Sequence, residues 1–211
     1  MRRWILAVGL VGGCATSEGN PDRAEMEATL RAGLFPEPAN YPGNGDLAIY
    51  EGTNTASEPC RIYDIAGTQV HATQQPGAPA VMDIVGNSIV DPTTGQAICT
   101  RQGNQLYEQV IVGGAGGDVL FTVIGRWVFE GELNLNGNIL QILAQLDDQL
   151  IYTFQGPHIY EHSPWDGDIL ATATQPLTNA NKTRKLVIAS LIAGECGGLG
   201  LYTEEEGEHE P

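Results

Sequence analysis

The sequence predicts an all-β domain: a meander of hairpin repeats closed into a ring, with one buried C-terminal apolar helix. Three observations carry this expectation. From Asp46 onward, short apolar runs are broken by Gly, Asn and Asp, the texture of many short strands. A triplet of Ile/Leu/Val, then Tyr/Phe/Val, then Asp/Glu occurs six times within that region, as a repeat architecture requires. Near the end comes one long apolar run, Leu186-Val187-Ile188-Ala189-Ser190-Leu191-Ile192-Ala193, unlike anything else after residue 160.

The triplets are Ile49-Tyr50-Glu51, Ile62-Tyr63-Asp64, Ile89-Val90-Asp91, Leu106-Tyr107-Glu108, Val128-Phe129-Glu130 and Ile159-Tyr160-Glu161. Four have a glycine three residues ahead (Gly86, Gly103, Gly125, Gly156), and a turn glycine commonly follows (Gly67, Gly95, Gly137, Gly167). The expected unit is a strand carrying the triplet, whose acid starts a turn, a glycine of positive φ and a returning strand. Strand alternation gives each unit one apolar face, so the first residues of all six triplets should share one core. Such units must stack or close, because none buries its face alone. Gly113-Gly114-Ala115-Gly116-Gly117 fits a flexible loop. It lacks the Lys and Ser/Thr of a phosphate-binding loop.

The apolar run reads as a helix within the segment 178–196. Asn181 is placed to cap its start and Gly194 to end it, and a helix apolar on all sides is a buried one. The segment after it, 197–211, is an acidic tail whose Glu204–Glu210 run is a solvated charge cluster.

The first 45 residues differ in kind. Met1-Arg2-Arg3, the apolar run Trp4–Leu10 and the small residues before Cys14 are the parts of a secretory signal, too short to span a bilayer. The Val11-Gly12-Gly13-Cys14 stretch resembles the lipobox of bacterial lipoproteins, with Val11 where that family prefers Leu. The resemblance implies cleavage of 1–13, a lipid on Cys14 and a lipid-anchored tether over 14–45. The chain would then sit in the cell envelope on the extracytoplasmic side, with the bacterial outer membrane the expected site. The β region 46–177 has a second likeness. Its Tyr-Asp-x-x-Gly units resemble bacterial β-flower repeats, which implies a flower-like ring of petals. The late apolar helix instead makes the chain resemble the tubby and phospholipid-scramblase superfamily, which implies a plugged barrel and lipid handling. That superfamily's basic lipid-contacting patches have no counterpart in this sequence.

Charge and cysteines narrow the function. Asp and Glu outnumber Lys and Arg by 26 to 10, a net charge of −16, which repels nucleic acid. By the same reasoning anionic headgroups gain nothing, so the expected membrane attachment is through lipidated Cys14 alone. With Cys14 spoken for, Cys60 and Cys196 read as loop residues and are the preferred disulfide, with Cys99 buried and free in a strand.

Candidate chemistry is sparse. His158-Ile159-Tyr160-Glu161-His162 spells the inverted zinc-protease motif, but that chemistry needs both histidines on one face of a helix. Pro157 and Pro164 bracket the segment and it coincides with a triplet, so a strand is expected. His158 and His162 are at most a weak metal pair. The triplet acids are better explained as turn starters than as calcium ligands. Trp127 should be packed in a strand, whereas Trp165, on a turn, is a candidate contact residue. No nucleophile arrangement and no cofactor motif is present. The sequence therefore points to a non-enzymatic interaction or structural module, with a protein or lipid partner unidentified. A lipid-handling plugged barrel is the alternative and a metallohydrolase the third.

Overall fold

The computed structural model describes residues 46–73, 79–108, 117–133, 148–161, 167–178 and 180–201. The expected signal and tether and the acidic run of the tail lie outside these residues. The described residues hold twelve strands. They are β1 (Leu47–Glu51), β2 (Arg61–Ala66), β3 (Gln69–Ala72), β4 (Met82–Val85), β5 (Ser88–Val90) and β6 (Ala97–Gln102). The rest are β7 (Gln105–Glu108), β8 (Val119–Ile124), β9 (Trp127–Glu130), β10 (Leu150–Gln155), β11 (His158–Glu161) and β12 (Ile169–Ala173). Each pairs antiparallel with its neighbours in the chain, and β12 pairs with β1, so the ring is a closed barrel. Helix α1 (Lys182–Ala193) follows.

Because strand direction alternates, every second connection falls at the same end. One end carries five two-residue hairpin loops: Gly67-Thr68, Gly86-Asn87, Gly103-Asn104, Gly125-Arg126 and Gly156-Pro157. The glycine of each has φ between +57° and +63°, and none of the second residues has positive φ. That combination is the type II′ turn, which Pro157 also demands, since its ring fixes φ near −65°. The other end carries the longer connections. This corrects the expected unit: four of the triplets sit on the strand that returns from the tight turn. Gly95 does follow its triplet, in a looser loop begun by Asp91, whose carboxylate accepts from Thr93 N (2.7 Å) and Thr94 Oγ1 (2.9 Å). Those bonds hold the Asp91 carboxyl below its usual range.

The triplets have a second structural meaning. The register shifts opposite Ile49-Tyr50, Ile89-Val90, Leu106-Tyr107 and Ile159-Tyr160, where the partner strand carries an extra residue: Ile62, Ile98, Leu120 and Leu170. The fifth case is the same, with Val128 and Phe129 facing Tyr152 and Leu150 and Ile151 as the extra residue. A bulge bends a strand and increases its twist, which is how a sheet is curved into a closed ring. The first residues of all six triplets are buried in one cluster, as expected.

That cluster also locates the helix. Every strand contributes to it, from Ile49 of β1 to Ala171 of β12, together with Leu186–Ala189, Leu191 and Ile192 of α1. Residues 184–192 are buried without interruption, so no face of α1 meets solvent. A helix surrounded by twelve strands and buried all round occupies the barrel axis. A small barrel fills its interior with side chains, but twelve strands leave a wider lumen that an α-helix about 10 Å across can fill. The apolar lining faces inward, and the strands are three to six residues long. Membrane-spanning barrels need strands of about 9–11 residues with an apolar outer band. This barrel is built the other way round.

Candidate functional site

The arrangement that distinguishes this barrel is its plug, fixed at both ends by polar groups. Chain direction places the start of α1 at the tight-turn end. Asn181 Oδ1 accepts from Arg184 N (2.8 Å), capping the helix. Leu177 N donates to Gly156 O and Thr178 Oγ1 accepts from Gly156 N (2.6 Å), joining the approach segment to the β10–β11 turn. Lys182 Nζ reaches Asn104 Oδ1 on the β6–β7 turn (2.5 Å). Lys185 Nζ donates to Gly125 O on the β8–β9 turn (2.6 Å) and to Thr178 O (2.7 Å). Burial, and secondarily the nearby Arg126 guanidinium, lower the Lys185 pKa to about 8.

The other end of the plug is clamped. Gly194 takes a left-handed conformation, and the chain folds back over the last turn. Glu195 N, Gly200 N and Leu201 N donate to the carbonyls of Ser190, Leu191 and Ile192, which a helix end would otherwise leave unpaired. Gly198 permits this close approach, since a Cβ there would lie 2.5 Å from Ser190 O. The Tyr63 hydroxyl accepts from Leu199 N (3.0 Å) and lies within donating distance of Leu191 O and Gly200 O. Desolvation raises its pKa. A disulfide between Cys99 of β6 and Cys196 then joins the wall to the plug.

That disulfide corrects the expected Cys60–Cys196 pair and the free Cys99. Cys99 is a strand residue that points inward, 1% exposed and part of the axial core, so a residue just past the end of α1 reaches it. Cys60 ends a short 3-10 turn (Glu58–Cys60) and packs outside the wall, in a separate cluster with Ala48 and Tyr50. The barrel wall separates Cys60 from Cys196. Cys60 is itself disulfide-bonded, and its partner lies outside the described residues.

The remaining candidates are dispersed. Cys14, His162 and Trp165 lie outside the described residues. His158 is on β11, a strand as expected. Thr172 Oγ1 gives its hydrogen to Gly52 O (2.6 Å), so the His158 Nδ1–Thr172 Oγ1 contact (2.9 Å) has Nδ1–H as donor. Its ring meets Tyr160 edge-on at 6.2 Å. No group of three metal-binding side chains exists among the described residues. Trp127 is 1% exposed, packed with Ile124, Phe129, Leu133 and Leu150, with the Arg126 guanidinium 5.3 Å from its ring centre.

Two hollows are bordered by described residues. One, about 430 Å³, lies across β1–β3 and includes Asp46, Asp64, His71 and Arg61. Asp64 is held there by Arg61 through two bonds of 2.6 and 2.9 Å, which leaves that carboxylate paired rather than poised as a base. The other, about 250 Å³, lies at the clamped mouth between Glu51, Tyr63 and Leu199. Neither brings a nucleophile and a base together. Sequence reasoning missed Tyr63, Lys185 and Cys99 as plug anchors. Their available signals were a lysine at the edge of an apolar run and a cysteine in an inward strand position. In the comparisons with known proteins, the chain matches no family model, no curated protein and no solved structure.

Proposed function

We propose that this chain is an exported, non-enzymatic interaction or structural module, tethered in the cell envelope by a lipid on Cys14. The observation that carries the proposal is the clamped plug. A helix buried on every face, joined to the wall by a disulfide, fills the space in which a carrier barrel would hold its cargo. A buried structural disulfide also suits an oxidising, extracytoplasmic compartment, in agreement with the N-terminal signal. Of the two family likenesses, the tubby and scramblase plugged barrel is better supported than the β-flower, because closure and an axial late helix are its features. The lipid-handling alternative then concerns outer surfaces, not the lumen.

Cys60 favours a second reading of the anchor. With Cys99 and Cys196 joined, a lipidated Cys14 leaves Cys60 no cysteine of its own chain to bond, since the sequence holds four. An unlipidated Cys14 remains available, which describes an exported but unanchored protein. Intact mass and thiol counting of protein extracted in detergent from its native host separate the two. A lipid-sized mass addition on a chain beginning at Cys14 supports the anchor. An unmodified chain with no titratable thiol overturns it. Lipid co-purifying in stoichiometric amount would overturn the interaction-module reading.

A further inference from the structure

We propose that the apolar hollow at the clamped mouth of the barrel docks a basic segment of another protein, which inserts one apolar side chain there. The hollow measures about 250 Å³ and is lined by Ile62, Tyr63 and Ala72 of the wall, by the cap from Leu199 to Leu201, and by Glu51. Ile62, Tyr63 and Ala72 belong to the axial core, so the floor is apolar. Leu199 borders it and is 57% exposed, although the segment that carries it is firmly held. Its amide donates to the Tyr63 hydroxyl, and the amides of Gly200 and Leu201 bond the last turn of α1. Three residues earlier, Cys196 is joined to the wall. These bonds use backbone atoms and a neighbouring sulfur, so the clamp needs nothing from the Leu199 side chain. That side chain is an apolar group displayed on an ordered backbone, where binding has little conformational entropy left to lose.

Size and charge select the occupant. Small-molecule sites run from about 300 to 1,000 Å³, and this hollow is smaller. It suits a single side chain, the anchor in a pocket on which protein interfaces concentrate their binding energy. Around it, Glu51, Glu108 and Glu130 end strands that run to this mouth. Exposed Glu195 lies on the cap, next to Gly194, whose Cβ position is 3.5 Å from Gly200 N. Arg101, Arg126, Lys182, Arg184 and Lys185 lie at the tight-turn end instead. Arg61 starts β2 at this mouth but is ion-paired with Glu58 and Asp64. A basic segment is therefore drawn here and an acidic one repelled. The acids alone would attract any cation, whereas the hollow and Leu199 call for an apolar residue among the cations. The inference rests on the interaction-module reading and names its surface.

The test measures fluorescence anisotropy of labelled peptides with the full chain purified in detergent. The probes are a short peptide of lysines and arginines around one central Phe, the same peptide with central Ala, and a glutamate peptide around Phe. The basic Phe peptide should bind at least about tenfold more tightly than the Ala peptide, and the glutamate peptide not at all. Leu199→Ser should weaken the Phe peptide at least about tenfold and leave the Ala peptide within about twofold, since only the first pair is coupled. Near-ultraviolet circular dichroism of Leu199→Ser should match the parent, because its backbone bonds remain. Equal binding of the Phe and Ala peptides would overturn the proposal, leaving only attraction between opposite charges. So would a Leu199→Ser effect of the same size on both. Removing residues 202–211 takes away acids and should weaken binding slightly. A gain of tenfold on that removal would assign the hollow to the chain's own tail and overturn the proposal. A dimer that Leu199→Ser dissolves would assign it to a second copy, with the same consequence. Failure here leaves the broader reading standing, because that reading is tested by intact mass and co-purifying lipid.

Discussion

Truncating Leu191 to alanine tests whether α1 is the core of this protein or an insertion it tolerates. Leu191 is fully buried in the last part of α1, within the axial cluster. Its carbonyl takes the Gly200 amide and lies near the Tyr63 hydroxyl. Removing a buried leucine costs about 2–5 kcal/mol, the spread reflecting how far the surroundings collapse into the gap. Collapse is restricted here. The wall is a closed ladder, and the end of the helix is held by the Cys99–Cys196 bond and by the chain folded over it at Gly198. We therefore expect a loss in the upper half of that range, about 4 kcal/mol, against a typical total of about 5–15. Denaturant unfolding followed by circular dichroism, with disulfides intact, reads it directly. Val85→Ala, at the exposed end of β4, is the control and should stay within about 0.5 kcal/mol of the parent. Leu191→Asp should not fold into soluble protein, because an unpaired buried charge costs several kcal/mol. A Leu191→Ala protein within 1 kcal/mol of the parent at unchanged denaturant slope would refute the axial packing.

Other outcomes follow from the anchors at the two ends of the plug. Lys185 titrates at about 8 in the fold against 10.5 when free, so between those values the unfolded chain holds more protons. Stability should therefore rise with pH from about 8 toward 10, by up to about 3 kcal/mol. The rise should be absent in Lys185→Met, and a flat difference between the two proteins from pH 7 to 10 would remove the buried lysine from the account. Tyr63 and Tyr152, the latter raised to about 12 chiefly by desolvation, oppose this only above pH 10. Cys99→Ala with Cys196→Ala opens a loop of sequence separation 97 and should cost about 2–4 kcal/mol. Amide exchange should quicken in residues 186–193 before it does in the strands, and uniform protection would show that the clamp does not hold the plug.

Much of the fold was legible because the relevant physics is local. Asn181 and Gly194 bracket an apolar run as a cap and a left-handed terminator do, and both perform those roles at the ends of α1. Ile49, Ile89, Leu106, Val128 and Ile159 point inward because alternation leaves each strand one buried face. What misled was the direction of the unit. A glycine either side of a triplet is equally plausible as its turn. The choice is made by the long-range ladder, which puts Gly86, Gly103, Gly125 and Gly156 in the tight loops. The bulges opposite the triplets were invisible for the same reason, since a bulge is a relation between two strands.

The anchors show where sequence reasoning stops and why. Pairing Cys60 with Cys196 treated both as loop residues, but the deciding variable is the side of the wall each occupies. That side depends on ring closure, which brings the end of α1 to an inward position on β6, 97 residues earlier. Charge behaves alike. Summed along the chain, the acids overwhelm the bases, and anionic surfaces are excluded. Once strand direction alternates, Asp91, Glu108, Glu130 and Glu161, at the ends of four of the five returning strands, are carried to one rim, while Lys182 and Lys185 are delivered by the plug to the other. A repeat that places its acid after the apolar residue on four of five returning strands builds such an axis. The sign of each end is thus a property of topology, and no composition could have disclosed it.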